Sequence, residues 1–328
     1  MYLKFLSVLL LTCLVFISCE KELSINKSGN LVHKTVVEDP SLSSIVVNGT
    51  VLHSEKFGSP DSSLVIFLHG GPGSDYRSGL KVKQLAEAGY YVIFYDQRGT
   101  GLSKRHDKNT HSIQQYLDDI SAVIDYYRTS PNQKVFLFGH SWGAMLTAAY
   151  INAYPDRIDG AIFAEPGGFN KQLLDEYGEA SRKLKVFSEI TNDVLYYDQF
   201  LTGREDEHEI LDYKLAIASS YAYANSNDEG IEGPFPFWRN GATVLQAFMD
   251  ISEKDGFDFT NKLVQFQHKV LFLYGEINKA YGLKFAQKEA SFFPNSDIVK
   301  IEDTGHEMIY FKWNTVFPIV LNYLNALN

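Results

Sequence analysis

The sequence predicts an α/β protein with a mostly parallel central sheet flanked by helices and a helical cap inserted after the sixth strand. Three observations carry this. Strand-like apolar runs recur along the chain with helix-like segments between them. The runs are continuous rather than alternating, as in strands covered on both faces. Between about Asn170 and Asp258 the alternation stops, and an acidic stretch of helical pattern rich in Tyr and Phe lies between two strand-like runs.

In order along the chain, "MYLKFLSVLLLTCLVFISCEKE" comes first, with one early cation, Lys4, and an apolar stretch from Phe5 to Ile17. That length suits the core of a signal peptide better than a membrane span. Cys19, straight after Ser18, resembles the lipidated cysteine of a bacterial lipobox. Residues 1–18 are therefore expected to be removed, residues 19–42 to form a lipid-anchored polar tether, and the protein to be exported and held at a bacterial membrane. "SIVVNGTVLHSE" then predicts a hairpin turning at Asn48-Gly49. The runs "LVIFLHGGPG", "YYVIFYDQRGTG", "KVFLFGHS", "IDGAIFAEPGG", "KVLFLYGE" and "DIVKIEDTGH" predict the next six strands. Tyr116, Ile120, Val123 and Ile124 fall at helical spacing, with Ser112 placed as N-cap. The C-terminal "MIYFKWNTVFPIVLNYLNALN" predicts a closing helix kinked or interrupted at Pro318. The resulting division is a first core part over 43–169, a cap over 170–258 and a second core part over 259–328.

Composition narrows the function. The 328 residues, 45% hydrophobic and 21% charged, are those of a globular protein. A net charge of -10 without a Lys/Arg block argues against a nucleic-acid partner. Cys13 and Cys19 are the two cysteines, so the residues beyond them hold neither a disulfide nor a thiol nucleophile.

The chemistry is concentrated at Gly139-His140-Ser141-Trp142-Gly143, a G-x-S-x-G pattern between a predicted strand and a predicted helix. This is the context of a nucleophile elbow: the turn is so tight that bulky neighbours would clash, and the serine is pushed out above the sheet at a helix N-terminus. A serine needs a base, which in this chain order follows the last strand; His306 in "EDTGHEMIY" stands there. An oxyanion hole needs backbone N–H groups. Trp142 is expected to give one, and the "HGGPG" loop the other, from Gly71 or alternatively Gly70.

"HGGPG", "DQRGTGLS" and "GHSWGA", in this order and spacing, resemble the prolyl iminopeptidase branch of the α/β-hydrolase superfamily over Leu64–Gly168 and Lys269 to the end. The resemblance implies the α/β-hydrolase fold and a serine hydrolase that releases an N-terminal residue, often proline, from a small peptide without a cofactor or metal. Asp96 and Arg98 then read as residues that fix a loop.

The sequence departs from that family twice. Asn278 stands where the family places the triad aspartate. Glu165, at the end of the sixth predicted strand, is the favoured substitute, resembling relatives that take the acid there, and Pro166 biases it to an extended conformation. Glu276 is the alternative acid. In the cap, "FWRNGATVL" replaces the family's W-E-G-A-T, so Asn240 stands where a glutamate holds the substrate's ammonium. Glu229 or Glu232 is expected to supply that charge, or else the substrate is an ester or neutral amide. Arg239 reads equally as a contact for a substrate carboxylate or as a solvent-facing charge, and Phe235, Phe237 and Trp238 as pocket wall or cap packing. The alternatives are a carboxylic ester hydrolase with the same triad, or a surface binding protein that has kept the fold without catalysis.

Overall fold

The structure, a computed structural model, describes residues 31–181, 206–225 and 228–328. The expected signal segment, Cys19, most of the expected tether and residues 182–205 and 226–227 of the cap lie outside the described residues.

The opening hairpin pairs β1 (Ser44–Val47) with β2 (Thr50–Phe57). Its turn places Asn48 at φ 43° and Gly49 at φ 72°, the double left-handed conformation that matches strand twist in a two-residue turn. Six further strands follow: β3 (Leu64–Leu68), β4 (Tyr91–Tyr95), β5 (Val135–His140), β6 (Gly160–Ala164), β7 (Val270–Gly275) and β8 (Ser296–Ile301). The sheet order is β1-β2-β4-β3-β5-β6-β7-β8. The two pairings of β2 are antiparallel and the remainder parallel.

Every residue of β3 through β7 is buried, which explains the unbroken apolar runs. Alternate side chains serve two separate cores. Leu64, Ile66 and Leu68 pack with α1 (Ile113–Tyr127) and α2 (Trp142–Ala153). Val65 and Phe67 pack on the other face, with the 3-10 helix Arg77–Ala86 and the C-terminal helices. Ser112 caps α1, its side chain accepting from Gln115 N at 3.2 Å.

After β6 the chain enters the cap through α3 (Lys171–Ser181), α4 (Glu207–Asn225) and α5 (Ala242–Lys254). An isolated antiparallel bridge, Asn170 with Asp258, joins the two strands of chain at its base. The second core part adds α6 (Gly282–Ala290), α7 (Met308–Phe311) and α8 (Trp313–Leu327). This is the α/β-hydrolase fold.

Three local expectations change. The interruption in the closing helix falls at Lys312, whose φ of -123° and ψ of 28° separate α7 from α8. Pro318 lies inside a continuous α8, where its missing N–H removes one bond of the ladder without ending the helix. The tether does not run free to residue 42. Thr35 and Val36 are buried, and Val36 N donates to Leu102 O at 2.8 Å. Among the described residues, no helix is long and apolar enough to cross a membrane.

Candidate active site

Ser141 sits between β5 and α2 at φ 53° and ψ -119°, a conformation that L-residues rarely adopt and that marks a strained turn. The flanking glycines are required by contact. A Cβ on Gly139 would lie 2.5 Å from Ala144 Cα, and one on Gly143 would lie 2.0 Å from the Leu68 carbonyl oxygen. The elbow is anchored on both sides: Ser141 N donates to Ala164 O at 2.9 Å, and Ser141 O accepts from Ala144 N at 2.9 Å.

His306 follows β8 and is held by two bonds, one from the elbow and one to the cap. His140 Nε2 donates to the His306 carbonyl at 2.8 Å, and His306 N donates to Glu229 O at 2.9 Å. The ring's Nδ1 donates to Glu165 Oε2 at 2.9 Å. Glu165 is 0% exposed. Its Oε2 also accepts from Asn278 Nδ2 at 2.7 Å, and its Oε1 from Gly275 N at 2.6 Å. Three N–H donors therefore surround one buried carboxylate, which compensates its desolvation. Glu165 is not extended as Pro166 led us to expect: its φ is 44°, a left-handed kink at the end of β6.

The alternative acid is directed elsewhere. Glu276 Oε1 accepts from Lys300 Nζ at 2.6 Å and Oε2 from Asp303 N at 3.2 Å, and these partners hold the exposed carboxyl below the usual carboxylate range. Asn278, at the family's aspartate position, binds the acid rather than acting as one. Its Oδ1 accepts from Ala280 N at 3.0 Å, which fixes Nδ2 toward Glu165.

Trp142 opens α2, so its N–H has no partner four residues back within the helix. The glycine loop faces it. Gly71 has φ 130°, and a Cβ there would lie 2.5 Å from Gly73 N. Gly71, Ser141 and Trp142 line one cavity of about 330 Å³, and Gly70 is absent from its wall. Gln97 ties the two halves of this arrangement together, its Nε2 donating to His69 O at 2.9 Å and its Oε1 accepting from Trp142 Nε1 at 3.0 Å. Burial lowers the His69 pKa and favours the neutral ring, whose Nε2 accepts from Gln97 N at 3.0 Å. Asp96 and Arg98 fix their loop: Asp96 accepts from His53 Nδ1 and from Leu102 N, each at 2.8 Å, and Arg98 grips Asp119 through two bonds of 2.8 and 2.7 Å.

The cap sorts its expected residues into two groups. Asn240 and Glu229 line the Ser141 cavity, and the Tyr177 hydroxyl donates to Glu229 Oε1. Arg239 neither meets a substrate carboxylate nor faces solvent. It is 2% exposed and pairs with Asp212 at 2.8 Å, with further bonds to His33 O and Glu38. Trp238 stands edge-on to Tyr76 and His53, away from the cavity wall. Glu232 accepts from Thr304 Oγ1 at 2.6 Å. Phe237, like Trp238, lines a second hollow beside Arg239 rather than the cavity at Ser141, and Phe235 is not on the cavity wall either.

Most of that wall is apolar, including Pro72, Met145, Leu174, Leu245 and Phe248. Tyr177 and Gln97 were missed from sequence: nothing in a helical repeat marks which cap ring turns inward, and Gln97 is hidden inside a loop motif. Among the described residues one trio, His140, His306 and Glu307, brings ligand atoms within 4.8 Å of one another. One nitrogen of each ring, His140 Nε2 and His306 Nδ1, is engaged in the hydrogen bonds above.

Comparison with known proteins agrees with this fold. The family described as serine aminopeptidase, S33, matches residues 59–255. A proline iminopeptidase of Thermoplasma volcanium is 31% identical over 285 residues, covering 80% of this chain and 89% of the relative. An AB hydrolase superfamily protein of Bacillus subtilis, YfhM, is 32% identical over 294 residues, covering 84% and 95%. Epoxide hydrolase B of Mycobacterium tuberculosis is 34% identical over 117 residues, and the chain spans 32% of its length. Among solved structures, the proline iminopeptidase of Mycobacterium smegmatis aligns with a TM-score of 0.59 at 16% identity, covering 87% of this chain and 97% of that one. This last likeness is one of fold.

Proposed function

We propose that this chain, which belongs to the S33 serine aminopeptidase family of α/β hydrolases, cleaves an amide bond through an acyl-enzyme and releases the N-terminal residue of a small peptide. Ser141 Oγ attacks the carbonyl carbon while His306 takes its proton. Glu165 holds the Nδ1–H tautomer of His306 and stabilises the imidazolium as it forms. The N–H groups of Trp142 and Gly71 receive the developing oxyanion. His306 then protonates the departing amine, and water, activated by the same ring, resolves the ester on Ser141. The observation that carries this reading is the buried Glu165–His306 bond of 2.9 Å beside a strained Ser141.

Glu229 supports the aminopeptidase form. Its buried carboxylate lines the cavity next to the segment that holds His306, where a substrate ammonium finds a counter-charge at low dielectric. A second reading, carboxylic ester hydrolysis with the same residues, is favoured by the apolar wall and by the neutral Asn240. Rates on proline β-naphthylamide and on p-nitrophenyl esters separate the two; faster ester turnover and no arylamidase activity would remove the first. Labelling by a fluorophosphonate, abolished in Ser141→Ala, tests the nucleophile, and absence of labelling in the native chain would leave only a binding protein. The reading extends to location: the protein is exported and anchored through lipid on Cys19, and Cys19→Ala is expected to release it from the membrane fraction.

A further inference from the structure

Gln97 is buried between the two elements that carry the oxyanion donors, and both ends of its side-chain amide are answered. Nε2 donates to His69 O at 2.9 Å, and Oε1 accepts from the indole Nε1 of Trp142 at 3.0 Å. Neither bond is given up without leaving a buried polar group unpaired, so the span is stiff. The Gln97 backbone takes a third part, its N donating to His69 Nε2 at 3.0 Å. A backbone N–H only donates, so this nitrogen of the neutral ring is the acceptor and Nδ1 carries the proton. Nδ1 in turn donates to Gly70 O at 2.8 Å. The C=O and N–H of one trans peptide point opposite ways, so the Gly71 N–H is turned away from the His69 ring. Gly71 borders the Ser141 cavity, whereas His69 and Gly70 do not.

We infer that Gln97 is a positioning residue for the oxyanion hole: its amide sets the separation of the Gly71 and Trp142 N–H groups, so that both converge on one oxygen. The inference rests on the acyl-enzyme reading, in which those two groups receive the developing charge. Gln97 is not on the cavity wall and acts through His69 and Trp142. Its loss therefore leaves a distinct kinetic mark. A misaimed hole forfeits an interaction made only in the transition state, so kcat falls while substrate affinity stays.

Gln97→Met keeps the length of the side chain and removes both amide bonds; Trp142→Phe removes the indole end alone. Each variant and the double variant are made in the full chain and melted to confirm folding. If Gln97→Met does not fold, Trp142→Phe decides alone. A fluorophosphonate places its phosphoryl oxygen where the oxyanion would sit, so saturation kinetics of labelling separate binding from bond formation at Ser141. The limiting rate of labelling is expected to fall at least about tenfold in either variant, short of the 10²–10³ that loss of a whole donor costs. So is kcat on p-nitrophenyl butyrate or proline β-naphthylamide, whichever the parent turns over. The half-saturation constant and KM should stay within about threefold, and the double variant should lose little more than one single. A change confined to the half-saturation constant, a parental rate in a folded variant, or additive losses in the cycle overturns the assignment. A parent chain that does not label removes the hydrolase reading and this assignment with it; a labelled parent with variants at the parental rate removes the role of Gln97 alone.

Discussion

Replacing Glu165 by glutamine keeps the shape of the side chain and changes one oxygen into an NH2 group. Gly275 N at 2.6 Å, Asn278 Nδ2 at 2.7 Å and His306 Nδ1 at 2.9 Å all point donors at this carboxyl. Glutamine has a single acceptor oxygen, so at least one donor meets a donor. If that oxygen stays on Gly275, whose backbone cannot turn away, the NH2 faces Asn278 and His306. Asn278 is held by Ala280 N and Tyr281 N on its Oδ1, at 3.0 and 3.2 Å, and resists flipping. The imidazole must then move its proton to Nε2, the nitrogen that has to accept from Ser141. A wrong tautomer of this kind costs about 10⁴ in kcat where an aspartate of a serine-protease triad becomes asparagine. That corresponds to about 5 kcal/mol of transition-state stabilisation. Stability should fall less, by about 1–3 kcal/mol for a buried unpaired donor. The assay is kcat on the best ester or arylamide, with a thermal melt to show that the variant folds. Glu276→Gln is the control, with activity close to the parent. If folded Glu165→Gln keeps kcat within tenfold, or if the Glu276 variant carries the loss, the acid has been misassigned.

Asn278→Asp sets a second carboxylate 2.7 Å from Glu165 Oε2, so it should lower both kcat and Tm. Added to Glu165→Gln, the same change is expected to restore at least a tenfold part of kcat, and strict additivity in the cycle would refute the coupling. Gly143→Ala drives a methyl to 2.0 Å from the Leu68 carbonyl, and a loss of at least about 1–3 kcal/mol is expected, read in a urea melt; an unchanged midpoint would mean that the elbow tolerates a shift. Burial, and next the charge of Asp96, raise the Asp75 carboxyl from 3.8 to about 7. The folded state therefore holds a proton that the unfolded chain releases above about pH 4. The contribution of this group is full below its unfolded value and is lost as pH rises through the folded one. Asp75→Asn should flatten the fall in stability between pH 5 and 7, and identical pH slopes in chemical denaturation would contradict this.

Much of this arrangement was legible in the sequence because its causes are local. The elbow announces itself through Gly139 and Gly143, which leave no space for a Cβ, and buried parallel strands announce themselves through unbroken apolar runs. The place of His306 after β8 follows from chain order. What could not be read was which partner a charged residue finds across the fold. Arg239 looked available, yet Asp212, 27 positions away, and Glu38 take its guanidinium. Trp238 and Glu232 share a short cap segment with Asn240, but that segment turns different side chains to different neighbours, and no sequence period records the turn. Nothing in the sequence marks His53, which is buried against Asp96. The choice between Glu165 and Glu276 was set by burial: one residue ends a central strand, the other borders Lys300 at the surface.

The bond from Gly241 to Gly73, with Asp75 gripping the amides of Trp238 and Arg239, has a bearing on how such proteins diverge. On the proposed mechanism, the part that selects a molecule and the part that steadies its reacting oxygen are one mechanical unit. A foreign lid grafted onto this body would arrive without its half of the joint, and turnover would drop even if the new lid recognised its molecule well. New preferences should therefore arise more readily by exchanging side chains within the existing lid than by exchanging lids.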